Sequence, residues 1–200
     1  MARPREFDPE SVLDRAMQVF WSKGYEATSL SDLCDATELN RSSLYASFGD
    51  KHTLFLETIN RYGDRAVARV SAALSRPIPI REALVAFYAG MIDQIIAGPG
   101  RTGCFLGNCA AEVVRHDRIA APVVRRNMDR LEATFRDAFA RAKERGELSA
   151  SADVDALARF FLSNSQGLRL MGKTMADRRT LEDIAKVALR CLEECPNGAE

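Results

Sequence analysis

Apolar residues along this chain recur every three or four positions, and this spacing predicts helices rather than strands. In the first such segment, Pro9–Lys23, Asp8 is a suitable N-cap, Pro9 suits the first helical position and Gly24 suits the end. No segment alternates between apolar and polar residues for long enough to predict a strand. The fold class is therefore predicted to be all-α. The apolar face of this first helix consists of Val12, Leu13, Ala16, Met17 and Phe20.

Two short helices and a long one follow the first helix. The first short helix, capped by Ser29 or Ser31, runs to about Thr37, and the second covers Arg41–Phe48. The pair Gly49-Asp50 ends the second short helix and caps the long one. Three short helices and a long fourth one therefore fit within the first seventy-odd residues, as an N-terminal three-helix head with a helix-turn-helix.

Pro77 and Pro79 break the helical pattern, and a larger domain is predicted from residue 77 to residue 195. Its apolar spacing again predicts only helices, which brings the total to about nine. The helices of this C-terminal domain are predicted at residues 81–97, 104–115, 122–145, 153–175 and 180–194.

Charge alone does not indicate a nucleic-acid partner. The chain has 28 basic and 28 acidic residues, and its first sixty residues carry six basic and ten acidic side chains. A DNA-binding interpretation therefore depends on where the few basic and hydroxyl groups lie. No apolar run reaches membrane-spanning length, and no apolar stretch follows the basic N-terminal residues as it would in a signal peptide. We expect a soluble, cytoplasmic protein.

The segment Ser29–Phe48 has the parts of a helix-turn-helix, in which a support helix and a tight turn present a second helix to the major groove. Asn and Arg make bidentate contacts to base edges, whereas hydroxyl groups suit phosphates. A small helical bundle with a solvated polar face would show the same pattern. The predicted core is Leu30, Leu33, Ala36, Leu39, Leu44 and Phe48, and the predicted exposed polar residues are Asn40, Arg41, Ser42, Ser43, Tyr45 and Ser47.

Two specific spacings occur in this head. They are Phe20-x-x-x-Gly24-Tyr25-x-x-Thr28-Ser29 and, after Leu39-Asn40-Arg41-Ser42-Ser43, the run Leu44-Tyr45-x-x-Phe48-x-x-Lys51-x-x-Leu54. Together they resemble the TetR family of repressors over about residues 6–66. One departure concerns the turn, where the family often has Gly and this chain has Glu38. An unfavourable backbone conformation or a different turn is expected there, with a carboxylate facing a polyanion.

The resemblance implies roles for individual residues of the head. Thr28, Tyr45 and Lys51 would hold phosphates, and Ser47 would touch the DNA backbone. Arg41, Ser42 and Ser43 would face bases. The full set predicted to contact DNA is Thr28, Ser29, Asn40, Arg41, Ser42, Ser43, Tyr45, Ser47 and Lys51.

The resemblance further implies a dimeric repressor that leaves a palindromic operator when a small-molecule inducer binds the C-terminal domain. One head with so few cations would bind DNA weakly, so two joined heads are required. The last two helices, at residues 153–175 and 180–194, would form a four-helix bundle with those of the partner. The apolar stripes along both helices would equally suit an intramolecular core.

The inducer site is predicted from aromatic and apolar residues with a few polar anchors. Aromatic residues at helical spacing also suit an ordinary core. Residues 103–112 resemble a segment that lines the pocket in a subset of TetR-like regulators. The predicted ligand-binding residues are Phe87, Met91, Cys104, Phe105, Asn108, Phe135 and Phe161.

Five cysteines without a C-x-x-C pair predict reduced thiols rather than a disulfide framework. The alternative function is a thiol-based redox or electrophile sensor that uses Cys104 or Cys109. No metal or cofactor is expected, since Cys191 and Cys195 lie one helical turn apart but both histidines are remote in sequence. No catalytic pattern stands out, so an enzyme is not expected. A helical enzyme or adaptor would show turnover or a protein partner without DNA binding.

Overall fold

The computed structural model of the protein describes residues 7–98, 102–175 and 177–192, and within these ranges it contains nine α-helices and no strand. The predicted all-α fold is therefore confirmed. The helices are α1 (Pro9–Lys23), α2 (Leu30–Thr37), α3 (Arg41–Phe48), α4 (Lys51–Leu74), α5 (Ile80–Ile96), α6 (Phe105–Glu112), α7 (Ala120–Glu144), α8 (Val154–Thr174) and α9 (Arg178–Arg190). In the same ranges, no helix is long and apolar enough to cross a membrane.

Side-chain caps define where the first helices start and end. The carboxylate of Asp8 accepts hydrogen bonds from two backbone N–H groups in the first turn of α1. Ser29, rather than Ser31, caps α2 and forms a reciprocal capping box with Asp32. Gly24 ends α1 with a φ of 84°, a conformation that costs glycine little. The predicted boundaries of α1 agree with the structure for this reason.

The chain divides into two compact units. The first contains residues up to Asp64 together with 105–127, and the second contains 65–104 and the residues from Met128 onward. The division falls inside α4 and inside α7, and α6 belongs to the same unit as the head helices. A division into compact units does not test whether a segment folds by itself. The predicted domain ranges, 6–66 and 77–195, therefore stay a prediction.

An aromatic cluster forms the core of the first unit. Phe55 lies 5.1 Å from Phe20 and 4.5 Å from Tyr25, measured between ring centroids. Phe105 of α6 joins the cluster with centroids 6.2 Å from Phe55 and 5.7 Å from Tyr62. Edge-to-face and tilted pairs at such separations stabilise a core beyond simple area burial. The first residue of α6 is thus part of the core beneath the helix-turn-helix.

The structure corrects the predicted end of α6, which stops at Glu112 rather than at residue 115. The reason is Asp117, whose Oδ1 accepts hydrogen bonds from the N–H groups of Ile119 and Ala120 at 2.9 and 2.8 Å. These bonds start α7 at Ala120, and a hydrogen-bonded turn fills the interval between the two helices. The predicted start of α7 was residue 122, two positions later than the observed one.

The second unit is built around α5, α8 and α9. Gly172 of α8 allows a close approach to α5, because a Cβ atom there would lie 2.5 Å from Ile95 Cγ2. Arg178, in the first turn of α9, binds Asp93 near the end of α5 at 2.7 Å, so these helices run antiparallel. The sequence analysis placed this last helix at 180–194. It begins at Arg178 instead, and residues 193–194 lie outside the described ranges.

Gly63→Ala is expected to destabilise the protein by about 1–3 kcal/mol, although alanine favours a helix by about 1 kcal/mol over glycine. Gly63 is buried in the middle of α4, and a Cβ atom there would lie 1.9 Å from Asn127 Oδ1. Asn127 is fully buried, and its amide donates to Val123 O at 2.9 Å and to Asn60 Oδ1 at 3.1 Å. The new methyl group would displace this amide.

Thermal unfolding followed by circular dichroism measures this effect. Gly90→Ala is the matched control, because Gly90 also lies inside a helix but a Cβ atom there meets nothing within 4 Å. We expect the Gly90 variant to gain stability and the Gly63 variant to lose it. Equal shifts in both variants would contradict the proposed close approach.

Candidate functional site

The helix-turn-helix is formed by α2, a tight turn and α3. Leu33, Leu44 and Phe48 are buried, as the sequence predicted, whereas the predicted core residues Leu30, Ala36 and Leu39 are only half-buried. The hydroxyl of Thr37 donates to Leu33 O at 2.6 Å, which satisfies a buried polar group at the end of α2. This core holds α3 by its apolar side and leaves its polar side accessible.

Glu38 occupies the turn with φ 60° and ψ 23°, and it is the only non-glycine residue with positive φ in the described part of the chain. The predicted unfavourable backbone conformation is confirmed. The Glu38 carboxylate lies 2.7 Å from the guanidinium of Arg15, whose side chain is itself half exposed. This surface ion pair offsets only a small part of the backbone strain.

The accessible face of α3 is polar except at Ala46. Arg41 and Ser42 are exposed, and Ser43, Tyr45 and Ser47 are half-buried. The Arg41 guanidinium lies 5.5 Å from the ring centroid of Tyr45, so the two side chains form one cationic and aromatic surface. Donors of this kind suit base edges and phosphates.

Asn40 has a structural role that qualifies its predicted base contact. Its Oδ1 accepts a hydrogen bond from the Ser43 N–H at 2.8 Å and caps α3. A bidentate contact to adenine needs both the oxygen and the nitrogen of the amide. Asn40 would therefore have to release its cap to make such a contact.

Lys51 and Ser29 lie at helix N-termini, where backbone N–H groups also favour anions. The Lys51 ammonium lies 4.5 Å from the ring centroid of Tyr25, which supports the lysine stem. Burial, followed by the nearby carboxylates of Glu26, Asp117 and Asp50, raises the pKa of Tyr25, so it stays a neutral phenol. Sequence reasoning did not assign Tyr25 to the site, although the Gly-Tyr element contained it.

Thr28 differs from the other eight predicted DNA-contact residues. Its side chain is 1% exposed, and its hydroxyl donates to Gly24 O at 2.5 Å. This bond closes the turn between α1 and α2 and leaves the hydroxyl turned into the protein. The structure therefore offers no surface for the predicted phosphate contact of this side chain, and we do not include it in the interface.

Four acidic residues of the head form ion pairs with cations of the head itself, namely Glu10, Asp14, Asp32 and Glu38. Arg61 binds Asp14 through two nitrogens, at 2.5 and 2.9 Å, and also binds Glu10. The Lys23 ammonium, followed by N–H and hydroxyl donors of Ser29, lowers the pKa of Asp32 to about 2. These contacts explain how a head with more acidic than basic side chains still presents Arg41 and Lys51.

Helix α6 and the turn after it contact the head helices of the same unit. The Glu112 carboxylate accepts a hydrogen bond from the Glu26 N–H at 3.0 Å, next to Gly24. His52 Nε2 lies 2.7 Å from Asp117 Oδ2. Partial burial opposes the ionisation of Asp117, but N–H donors of α7 and the His52 ring outweigh it and lower the pKa of Asp117. The head helices are thus bound to α6 by polar contacts as well as by Phe105.

The seven predicted ligand-binding residues are divided between the two compact units. Phe105 and Asn108 belong to the first compact unit, and the other five belong to the second. Phe135 and Phe161 are fully buried, and Phe87 packs edge-on against Phe135 at 5.8 Å between centroids, as expected of a core. None of the seven lines the groove of about 460 Å³ between α5 and α9. Their role in ligand binding stays a prediction.

The candidate sensor thiols, Cys104 and Cys109, are both buried. They belong to different compact units. A reactive thiol needs exposure and a nearby positive charge, and the burial of both gives the sensor alternative no support. In the described residues, no group of three or more His, Cys, Asp or Glu side chains is placed to hold a metal ion. Cys195 lies outside the described ranges.

A buried support helix, a capped turn and a helix with a polar outer face define a helix-turn-helix DNA-binding protein. Residues 12–58 match the family model for bacterial regulatory proteins of the tetR family. Residues 81–188 match the model for the tetracyclin repressor-like C-terminal domain. The chain belongs to the TetR family of bacterial transcriptional regulators, and the family resemblance seen in the sequence is confirmed.

Relatives with these features match almost the whole chain. The uncharacterized HTH-type transcriptional regulator YezE of Bacillus subtilis (strain 168) is 34% identical over 194 residues, covering 96% of this chain and 100% of that protein. The HTH-type transcriptional repressor ComR of Escherichia coli (strain K12) is 32% identical, covering 96% and 92%. A cysteine mutant of the TetR family regulator CifR, complexed with 26bp operator DNA, superimposes with a TM-score of 0.84 at 29% identity, covering 94% of this chain and 98% of that chain.

Glu38→Gly is expected to stabilise the protein by about 1 kcal/mol, because glycine adopts the left-handed conformation without the steric cost. Glu38→Ala is the matched control. It removes the same carboxylate and the same ion pair with Arg15, but it keeps a Cβ atom in the strained turn. Urea unfolding of both variants separates the two effects. If the glycine variant were no more stable than the alanine variant, backbone strain at this turn would be excluded.

Proposed function

We propose that this protein is a transcription repressor that binds a palindromic operator as a homodimer and leaves it when a small molecule binds the C-terminal part of the chain. The observation that carries the proposal is the polar face of α3, with Arg41 over Tyr45, held by a buried core on its other side. A helix presented in this way enters the major groove. In this proposal Arg41, Ser42 and Ser43 face bases.

Phosphate contacts would fix the position of α3 in the groove. Lys51 and Tyr45 supply a cation and a phenol, and the N-termini of α2 and α4 supply backbone N–H groups. Ser29 and Ser47 add hydroxyls at the edge of the same surface. Because the head has few unpaired cations, one head alone binds weakly and two heads must act together.

The partner would pack against an apolar and small-residue face of α8 and α9. Leu170 is 64% exposed and Val187 61% exposed, which is unusual for side chains of this size in well-packed helices. Phe160 lies on the same face of α8 as Leu170, and Gly167 between them has nothing within 4 Å of a Cβ position. Such a face suits close helix packing between two copies. It supports the predicted dimer through residues 153–175 and 180–194.

Release from DNA would occur because binding of the ligand and binding of the operator to the same protein affect each other. A ligand weakens operator binding only if it binds the operator-incompatible arrangement more tightly than the operator-bound one. The polar contacts of Glu112 and Asp117 with the head helices offer a route from α6 to the DNA-binding surface. The protein would act in the cytoplasm and would catalyse no reaction.

The proposal is tested by a gel shift of the purified full-length protein with DNA from around its own gene, at stated salt and with competitor DNA. We expect a discrete shifted band that survives the competitor, with two subunits for each palindrome. No band with this DNA, and no enriched sequence from a random pool, would overturn the proposal.

A further inference from the structure

The turn between α6 and α7, residues 113–119, carries a cluster of basic side chains outside the helix-turn-helix. Arg115, His116 and Arg118 lie within four positions of one another, and all three are exposed. Other cations of the same unit, such as Arg61, are bound to carboxylates. In the part of the chain that the structure describes, no carboxylate forms an ion pair with either arginine of the turn. The turn therefore presents two positive charges to solvent.

This turn lies beside the surface that we assign to DNA. Arg118 lines an open cleft of about 670 Å³ to which the head contributes Tyr25. The Lys51 ammonium lies 4.5 Å from the centroid of the same Tyr25 ring. Asp117, the neighbour of Arg118, lies 2.7 Å from His52, the neighbour of Lys51. Two separate contacts within one compact unit thus place Arg118 close to Lys51.

Hydrogen bonds to two carboxylates hold the turn in this position. The Asp117 carboxylate binds the His52 ring through one oxygen and accepts from the Ala120 N–H at 2.8 Å through the other. The Glu112 carboxylate accepts from the Glu26 N–H at 3.0 Å. Both carboxylates are engaged by donors other than the arginines. The arginine side chains start from a fixed backbone, which reduces the entropy lost when they bind a partner.

The composition of the cleft favours a phosphate backbone over a small organic ligand. Small-molecule pockets are lined mainly by apolar side chains, whereas the only aliphatic residues in this lining are Val113 and Ile119. Arginine binds phosphate oxygens through two parallel N–H donors. Phosphates along one DNA strand follow one another about every 3.4 Å of helix axis. A cation beside Lys51 would therefore meet a phosphate close to the one that Lys51 holds.

We propose that the α6–α7 turn is a second DNA contact of each subunit, in which Arg115 and Arg118 bind backbone phosphates next to those held by Lys51. This inference rests on the proposed repressor function. The contact adds affinity without sequence preference, because phosphates are the same at every base pair. It also supplies cations that the acidic head lacks. Since the turn directly follows α6, a ligand that moves α6 would withdraw these arginines from the DNA.

Fluorescence anisotropy of the full-length protein with its operator, at several salt concentrations, tests the contact. The double variant Arg115→Gln, Arg118→Gln should lower operator affinity at least about tenfold at about 0.1 M salt, because each dimer loses two or more phosphate contacts. The slope of log affinity against log salt concentration should fall by about 2 or more, at about 0.9 for each phosphate. Circular dichroism of each variant shows that the helices are retained.

Arg76→Gln is the matched control, because Arg76 is also an exposed arginine between two helices but belongs to the second compact unit. Its affinity and slope should equal those of the parent protein. The double variant Arg115→Lys, Arg118→Lys keeps both charges and should keep the slope. Ethylation of single operator phosphates then locates the contact. The glutamine variant should become insensitive to ethylation at phosphates that neighbour those lost in Lys51→Ala.

A glutamine variant with the parental affinity and slope would overturn the contact and leave the repressor function standing. A loss of affinity with an unchanged slope, or one that the lysine variant shares, would also overturn it. The cause would then be a displaced α3 rather than a missing charge. If the parent protein formed no operator complex, the repressor function itself would be overturned, and the contact with it.

Discussion

The double variant Tyr45→Phe, Lys51→Ala is expected to lose operator affinity about 100-fold or more while it remains folded and dimeric. A hydrogen bond to a charged group contributes about 1.5–3 kcal/mol, and a dimer loses two such lysine contacts together with two phenol contacts. Neither side chain belongs to the buried core, since both are half-buried at the surface of the head. The helical content should therefore be unchanged.

The dependence of operator affinity on salt concentration tests whether Lys51 contacts a phosphate. Each lysine that neutralises a phosphate contributes about 0.9 to the slope of log affinity against log salt concentration, so the slope should fall by about 2 for the dimer. Fluorescence anisotropy at several salt concentrations measures it. Arg76→Ala is the control, because it removes an exposed cation outside the head and should leave the slope unchanged. If the double variant kept the parental operator affinity and salt slope, the head would not form the DNA interface.

Leu170→Glu is expected to convert the dimer into monomers at micromolar concentration. Leu170 is 64% exposed on the face of α8 that also carries Phe160 and Gly167. A carboxylate at the centre of an apolar interface would lose its hydration without gaining a partner. Joining two heads raises the affinity for a palindrome by about 100- to 10,000-fold, and this gain would be lost.

Sedimentation velocity measures the oligomeric state, and the operator shift measures the loss of affinity. Ile119→Glu is the matched control, because Ile119 is also a large apolar side chain, 62% exposed, but lies outside α8 and α9. The Ile119 variant should remain dimeric. A Leu170 variant that sediments like the parent protein would show that the two copies meet elsewhere.

Much of the head could be predicted because its signals are local. Asp8 and Gly24 lie next to the helix that they bound, and a cap acts over three or four residues of chain. The strain at Glu38 was expected from the family resemblance, because the family often has Gly in this turn and only glycine adopts the left-handed conformation without cost. The polar face of α3 followed from spacing in the same way.

Other features depended on partners remote in the sequence. Thr28 carries a hydroxyl that suits a phosphate, but Gly24 O accepts its hydrogen bond in a closed turn. α6 ends early because Asp117 starts the next helix, and Glu112 then contacts the Glu26 N–H 86 residues away in sequence. A helical pattern does not distinguish an aromatic residue in a pocket wall from one in a core, and Phe105 belongs to the head core.

The sequence by itself determined the all-α fold and the helix-turn-helix, because caps, apolar periodicity and turn residues act within a few positions of one another. The family followed from the resemblance of the motifs around Gly24-Tyr25 and Leu44-Tyr45 to those of the TetR family. Only the tertiary structure decided which helix faces stay exposed and which side chains line a groove. Arg81 and Arg190 line the same groove because α5 and α9 pack antiparallel, which brings together residues 109 positions apart. Packing geometry of this kind depends on the fit of whole helix surfaces rather than on any local pattern.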